Sequence, residues 1–441
     1  MRKALLLSTA KGVLKDNDLG SWTRPAPGLY PHQWLWDSCF IAIGIGHYDP
    51  VRARLELLSL IRGQWSNGML PHMIFDPDTN HFTGPHIWMS HINPAAPPGI
   101  ETSGITQPPI LAEAVWRVGE QMKKADRLEF FSEMYAALLR YHSWFYRERD
   151  LHGEGLVVSI HPWETGLDNT PPWIVELTHH AEPVWIRTIK RLGLSRLFDL
   201  FRQDTRLVPA SERINTSISL LLFHVQRRLR RKHYDSLEIL RRSHFAVQDV
   251  LVNSTLIRNN QILSDIAHEL NETIPPDLRQ SFDKAKDALE ELWHEDDQRY
   301  YCRNFVTRDW LTIPYIGGLM PLYSGAISRE RAKVLVKSMK DELQYGTRYP
   351  VPSVPISSPH YHHLRYWQGP TWFATNWLLI DGLKQNGFFR EAEHIKETSL
   401  ELFAEHGARE YFSAIDGTPS GANNFSWTAA LAIDLSLEKD R

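Results

Sequence analysis

LEFFSEMYAALLRYHSWFYRERD, running from Leu128 to Asp150, decides the fold class. Phe131, Met134, Leu138, Tyr141 and Phe145 recur three or four residues apart, the period of one helix face turned towards a core. Upstream, Ile110, Ala114, Val115, Val118 and Met122 repeat the pattern behind Pro108, which sits at a first helical position. The same reading predicts helices over 2–16, 33–47, 51–64, 183–201, 214–230, 235–256, 258–272, 277–294, 327–343, 372–383 and 388–402. Strand signals are confined to Gly155–Ile160 and Tyr300–Phe305. The chain therefore reads as all-α, about a dozen helices joined alternately by short turns and long aromatic loops. That alternation suits helical hairpins closed into an (α/α) toroid, with the long loops around one mouth.

The 441 residues contain no Gly/Ser-rich or Pro-rich linker, so one large domain over 1–441 is the expectation. A formal charge of -3 and a pI near 6.7 provide no basic face for nucleic acid. Cys39 and Cys302 are too few for a disulfide framework or a cysteine-built zinc site. MRKALLLSTAKG is a weak match to a signal peptide, and no apolar stretch is long enough for a bilayer. A cytoplasmic protein is expected, with a small-molecule partner and neither membrane nor nucleic acid. A homo-oligomer stays compatible with these features.

The chain carries 16 Trp, 15 Tyr and 18 Phe, and many of these rings stand in loops beside Gly, Pro, His or Asp. Five segments share this character: LYPHQWLWDS (Leu29–Ser38), GITQPPI (Gly104–Ile110), WETGLDNTPPW (Trp163–Trp173), RYWQGPTW (Arg365–Trp372) and REYFSAIDGTPSGANNFSW (Arg409–Trp427). Sugars present apolar C–H faces and hydroxyl edges, so their sites need flat rings beside planar hydrogen-bonding groups. Cleaving a glycosidic bond needs two carboxyl groups, one kept protonated by apolar surroundings. Asp168 meets that description, on a loop stiffened by Pro171 and Pro172 between Trp163 and Trp173. It could equally cap a helix, and Glu164 and Asp37 are rival acids.

WETGLDNTPPW resembles the acid-bearing segment of glycoside hydrolase family 63 and its (α/α)6-barrel relatives. YPHQWLWDS, YWQGPTW and the closing REY…NNFSWTAA extend the likeness in order, and the mannosylglycerate and glucosylglycerate hydrolases of that family are the most similar. The resemblance implies an (α/α)6 barrel with insertions over roughly 66–106 and 170–320. It implies an inverting α-glycosidase for a small glucoside or mannoside, without metal or cofactor. Asp168 would be the general acid and Glu410 the general base. Tyr30, Trp36, Asp37, Gln107, Trp163, Tyr366, Trp367, Gln368, Gly369 and Trp372 would bind substrate, with Asp37 and Gln107 on hydroxyls of the cleaved sugar. PASERIN (Pro209–Asn215) would bring Arg213 to an anionic aglycone such as glycerate, although the tyrosines expected after it are replaced by SISLLLF, Ser217 to Phe223. Thr170-Pro171-Pro172-Trp173 and Tyr411-Phe412-Ser413 also depart from the family pattern.

Two other classes fit such a toroid. A sugar epimerase would need histidine bases, for which His86, His91, His360, His362 and His363 are candidates. A carbohydrate-binding protein without catalysis would have no need of both Asp168 and Glu410.

Overall fold

Six helices meet side by side in a closed ring in the computed structural model, which describes residues 2–79, 84–180, 182–194, 202, 204–243 and 245–438. In ring order they are Leu35–Gly46, Leu111–Glu120, Val250–Glu269, Pro321–Ser324, Phe373–Gln385 and Ser426–Leu437, and the last packs back on the first. Arg2–Asp16, Pro50–Arg62, Lys124–Trp144, Pro276–Ala288 and Phe389–His406 lie against this ring from outside. The alternation of inner and outer helices along the chain is that of an (α/α)6 barrel.

Position in the barrel explains which helices the sequence reveals. Outer helices bury one face and keep an apolar stripe: Pro50–Arg62 buries Ala53, Glu56, Leu57, Ser59 and Leu60. Inner helices are enclosed on all sides, and every residue of Leu35–Gly46 is buried. Ser426–Leu437 is apolar all round, so it shows no period, and the sequence reading has no helix there. The ring closes where Gly44 meets the backbone of Ala430; a Cβ at Gly44 would fall 2.4 Å from that backbone.

Several expected boundaries differ. The helix expected over 128–150 runs from Lys124 to Trp144 and ends in a π-turn, Phe145–Arg149. In place of helices over 235–256 and 258–272 there is a short helix, Ser236–Arg241, a strand, Val247–Gln248, and one unbroken helix, Val250–Glu269. Asp249 caps the latter by accepting from Val252 N at 2.7 Å, and Leu256 and Ile257 are buried within it, so nothing breaks it there. Pro171–His180 is a helix started by its prolines, for which the sequence reading gave no range. The helix expected over 183–201 is seen as Val184–Arg191; its positions 195–201 lie outside the described residues. The span 170–320, expected as an insertion, includes the inner helix Val250–Glu269.

Short strands tie the long loops together. Val158–Ser159, Val247–Gln248, Cys302–Asn304 and Trp310–Leu311 form an antiparallel sheet, and Arg409–Phe412 pairs with Pro419–Asn423 as a hairpin. The two strand signals read from sequence fall within these elements or beside them. Among the described residues no helix is long and apolar enough to cross a membrane.

Candidate active site

Two of the aromatic loops are clamped to each other. Asn169 Oδ1 accepts from Trp367 N at 2.9 Å, and Thr170 Oγ1 donates to Trp367 O at 3.2 Å. The Trp367 ring lies parallel to Trp372, centroids 3.7 Å apart. Tyr366 takes a left-handed backbone, φ 43°, a conformation that costs a non-glycine residue about 1–3 kcal/mol. It brings the Tyr366 hydroxyl to Asp168, donating to Oδ2 at 3.2 Å.

Glu410 comes from the hairpin. Its Oε2 accepts from Ala422 N at 2.7 Å and its Oε1 from the Tyr30 hydroxyl at 2.7 Å. Arg213 Nη1 stands 3.3 Å from Oε1, and Nη2 donates to Tyr30 Oη at 3.0 Å. Tyr30 Oη lies 3.5 Å from Tyr366 Oη, the two hydroxyls side by side with each proton directed to a different carboxylate. Strand partner Gly421, at φ 71°, leaves room for the Glu410 carboxylate: a Cβ there would sit 2.5 Å from Glu410 Oε2.

The two acids differ in environment. Burial pushes the Asp168 carboxyl up to about 7; the Tyr366 hydrogen bond and the Arg213 charge oppose the shift, and the Glu410 charge adds to it. Asp37, buried in the first turn of Leu35–Gly46, is also raised well above the ordinary carboxylate range by burial. Tyr30 and Tyr366, both raised by burial, keep their hydroxyl protons and act as donors to carboxylates. The cavity can therefore hold a proton on Asp168 near neutrality while Glu410 is fixed by three donors.

Nine of the expected residues line one inner cavity: Tyr30, Trp36, Asp37, Gln107, Asp168, Tyr366, Trp367, Trp372 and Glu410. Gln107 Oε1 accepts from Trp36 N at 3.3 Å, which turns its amide nitrogen away from that contact. Trp163 instead lines a second, outer chamber, edge-on to Phe223. Gln368 and Gly369 line neither cavity. Their backbones brace the loop, Gln368 O accepting from His362 N and Gly369 N donating to Ser353 Oγ. Arg213 is on the wall of the outer chamber, but its guanidinium is engaged by Glu410 and lies 3.6 Å from Asp204.

Asp168 is not a helix cap; it is Thr170 O that receives the first amides of Pro171–His180. Glu164 is no rival acid, because it forms a buried two-point ion pair with Arg149 and accepts from Ile160 N. His86, His91, His362 and His363 are exposed and, with His360, line neither cavity, so the structure does not bring these five candidate bases to the site. Among the described residues no cluster of His, Cys, Asp and Glu could hold a metal. Trp427 and Phe425, which complete the inner cavity, are visible in the sequence only as part of the NNFSW motif. Leu220 and Phe223, on the outer chamber, are visible in the sequence only as part of a helical stripe and of the SISLLLF segment that replaces the expected tyrosines.

An acid that holds its proton near neutrality, opposed to a second carboxylate across a ring-walled cavity, is the equipment of a glycoside hydrolase. Comparison with known proteins agrees with this class. The family model for the mannosylglycerate hydrolase MGH1-like glycoside hydrolase domain matches residues 30–428, and the chain belongs to that family. It is 36% identical over 433 residues to the mannosylglycerate hydrolase of Thermus thermophilus, covering 96% of this chain and 98% of that one. It is 28% identical over 458 residues to the glucosylglycerate hydrolase of Mycolicibacterium hassiacum, covering 97% of each. A crystal structure of the GH63 mannosylglycerate hydrolase from Thermus thermophilus in complex with Tris and D-glycerate superposes with a TM-score of 0.87 at 35% identity, covering 97% of this chain and 99% of that one.

Proposed function

We propose that the chain is an inverting α-glycosidase of small glucosides or mannosides, with Asp168 as general acid and Glu410 as general base. The observation that carries this reading is the Asp168 carboxyl, pushed up to about 7 by burial inside the cavity that Glu410 also lines. Asp168 protonates the glycosidic oxygen as the bond to the anomeric carbon breaks. Glu410 takes a proton from the water that attacks that carbon from the opposite face. Asp37 and the Gln107 amide hydrogen-bond hydroxyls of the cleaved sugar, and Trp36, Trp367 and Trp372 pack on its C–H faces. Water and glycoside give alcohol and free hexose, so the balance needs no cofactor. Cys39 and Cys302, both buried and free, suit a reducing cytoplasm.

Mannosylglycerate and glucosylglycerate, the substrates named for its relatives, enter the assay first, beside neutral α-mannosides and α-glucosides. Released hexose is the readout, and proton NMR before mutarotation reports the anomer. The β-hexose is expected first. Initial α-hexose would mean that Glu410 attacks carbon directly, and the inverting assignment would fall.

A further inference from the structure

The hairpin that carries Glu410 is interrupted where Glu410 stands. Tyr411 pairs with Ser420 and Arg409 with Asn423, so Gly421 and Ala422 both lie opposite Glu410. This is a β-bulge with its glycine in the left-handed region, at φ 71°. A bulge takes amides out of the ladder, and a buried N–H then needs another acceptor. Here two neighbouring amides meet two different carboxylates. Gly421 N donates to Glu212 Oε2 at 3.2 Å, and Ala422 N donates to Glu410 Oε2 at 2.7 Å. Tyr30 and Arg213 engage Glu410 Oε1 at 2.7 and 3.3 Å, whereas the short contact of Oε2 is the bulge amide.

Glu212 closes the 3₁₀ turn Ala210–Glu212, which is held from two other loops. The Tyr411 hydroxyl donates to Glu212 O at 2.7 Å, and Arg365 Nε donates to Ser211 O at 3.3 Å. Arg365 precedes Tyr366, the donor to Asp168, so one turn meets the loop that serves the acid and the hairpin that carries the base. Those two contacts use main-chain oxygens, which any residue would supply. The carboxylate on the bulge amide is the contact that depends on the identity of residue 212. Glu212 is half-buried and lines neither cavity, so it is not placed to touch substrate.

We infer that Glu212 is a positioning residue for the base: it pins the bulge through the Gly421 amide, and the pinned bulge presents the Ala422 amide to Glu410. The inference rests on the α-glycosidase reading, in which Glu410 activates water. An inverting base must stand back from the anomeric carbon by the width of that water, so its displacement is felt in the chemical step more than in sugar binding.

Hydrogen exchange on the full chain tests the hold on Glu410 without catalysis. In Glu212→Ala the Gly421 and Ala422 amides are expected to exchange about tenfold faster than in the wild type, while the inner helices keep their protection. Unchanged exchange at Ala422 would overturn the role. Kinetics on released hexose, referred to folded enzyme, supply the second readout. Glu212→Ala should lower kcat about tenfold to 100-fold and leave KM within about threefold. Glu212→Gln keeps an oxygen for the Gly421 amide and should recover most of that loss; a variant no better than Glu212→Ala, or an effect confined to KM, would exclude positioning through this bond. Faster exchange at Ala422 in a chain that hydrolyses no glycoside would sink the catalytic reading and keep the hold on Glu410. Wild-type release of β-hexose with kcat unmoved in Glu212→Ala would do the reverse.

Discussion

Asp168 and Glu164 stand in one loop, yet their surroundings assign them opposite work. Glu164 faces Arg149 at 2.8 and 2.9 Å and is saturated with donors, a structural ion pair. Asp168 has one tyrosine hydroxyl and an apolar cavity, so its proton is retained. Asp168→Asn is expected to lower kcat at least about 100-fold on an unactivated glycoside. The same variant has a stability signature. A carboxyl raised from 3.8 to about 7 favours the folded state most when protonated, and that contribution is lost as pH rises towards 7. Asparagine has no proton to lose, so Asp168→Asn should melt higher than the wild type at pH 8 and show no such advantage at pH 4. Tyr366 stabilises the ionised form of Asp168, so Tyr366→Phe raises that pKa further. The alkaline limb of kcat/KM, set near pH 7 by loss of the acid's proton, should then move to higher pH; a shift to lower pH would show that Asp168 is not the group titrating.

At the scale of elements, the pieces that aim these side chains are short and irregular. The hairpin Arg409–Phe412/Pro419–Asn423 holds Glu410 through one backbone amide and one glycine. Gly421→Ala would place a Cβ against the carboxylate at a backbone angle alanine disfavours. Turnover is expected to fall by about tenfold to 100-fold, since small misplacements of a reacting group cost that much. Steady-state kinetics on a folded variant checks this, and an unchanged kcat would mean that Glu410 tolerates displacement. The helix Thr216–Arg231 is legible from its stripe, but not the direction of its face towards the outer chamber. Periodicity locates a buried face and says nothing of what lies opposite. The same limit puts Trp163 with the inner cavity, beside Asp168 in sequence, whereas the 3₁₀ turn Pro162–Thr165 sends it outward. Arg213 is placed at the mouth by its motif, but its pairing with Glu410 joins positions 197 residues apart.

On the scale of the whole molecule, the barrel depends on bringing its first and last inner helices into contact. Gly44→Ala puts a methyl group into the Ala430 backbone, and overpacking of this kind costs about 1–3 kcal/mol. Denaturant unfolding should register that loss, and wild-type stability in the variant would show that the ring closes with slack. By itself the sequence determined the helical class, the outer helices, the loop motifs and Asp168, with Glu164 and Asp37, as the acids worth watching, because these depend on local period, turn chemistry and residue type; Glu410 was pointed to by the family resemblance alone. Tertiary structure alone decided that Glu164 is an ion-paired brace, that Gln368 and Gly369 support a loop, and that Arg213 is already engaged. Those distinctions rest on burial and on partners far away in the chain, and burial decides whether a carboxyl keeps its proton.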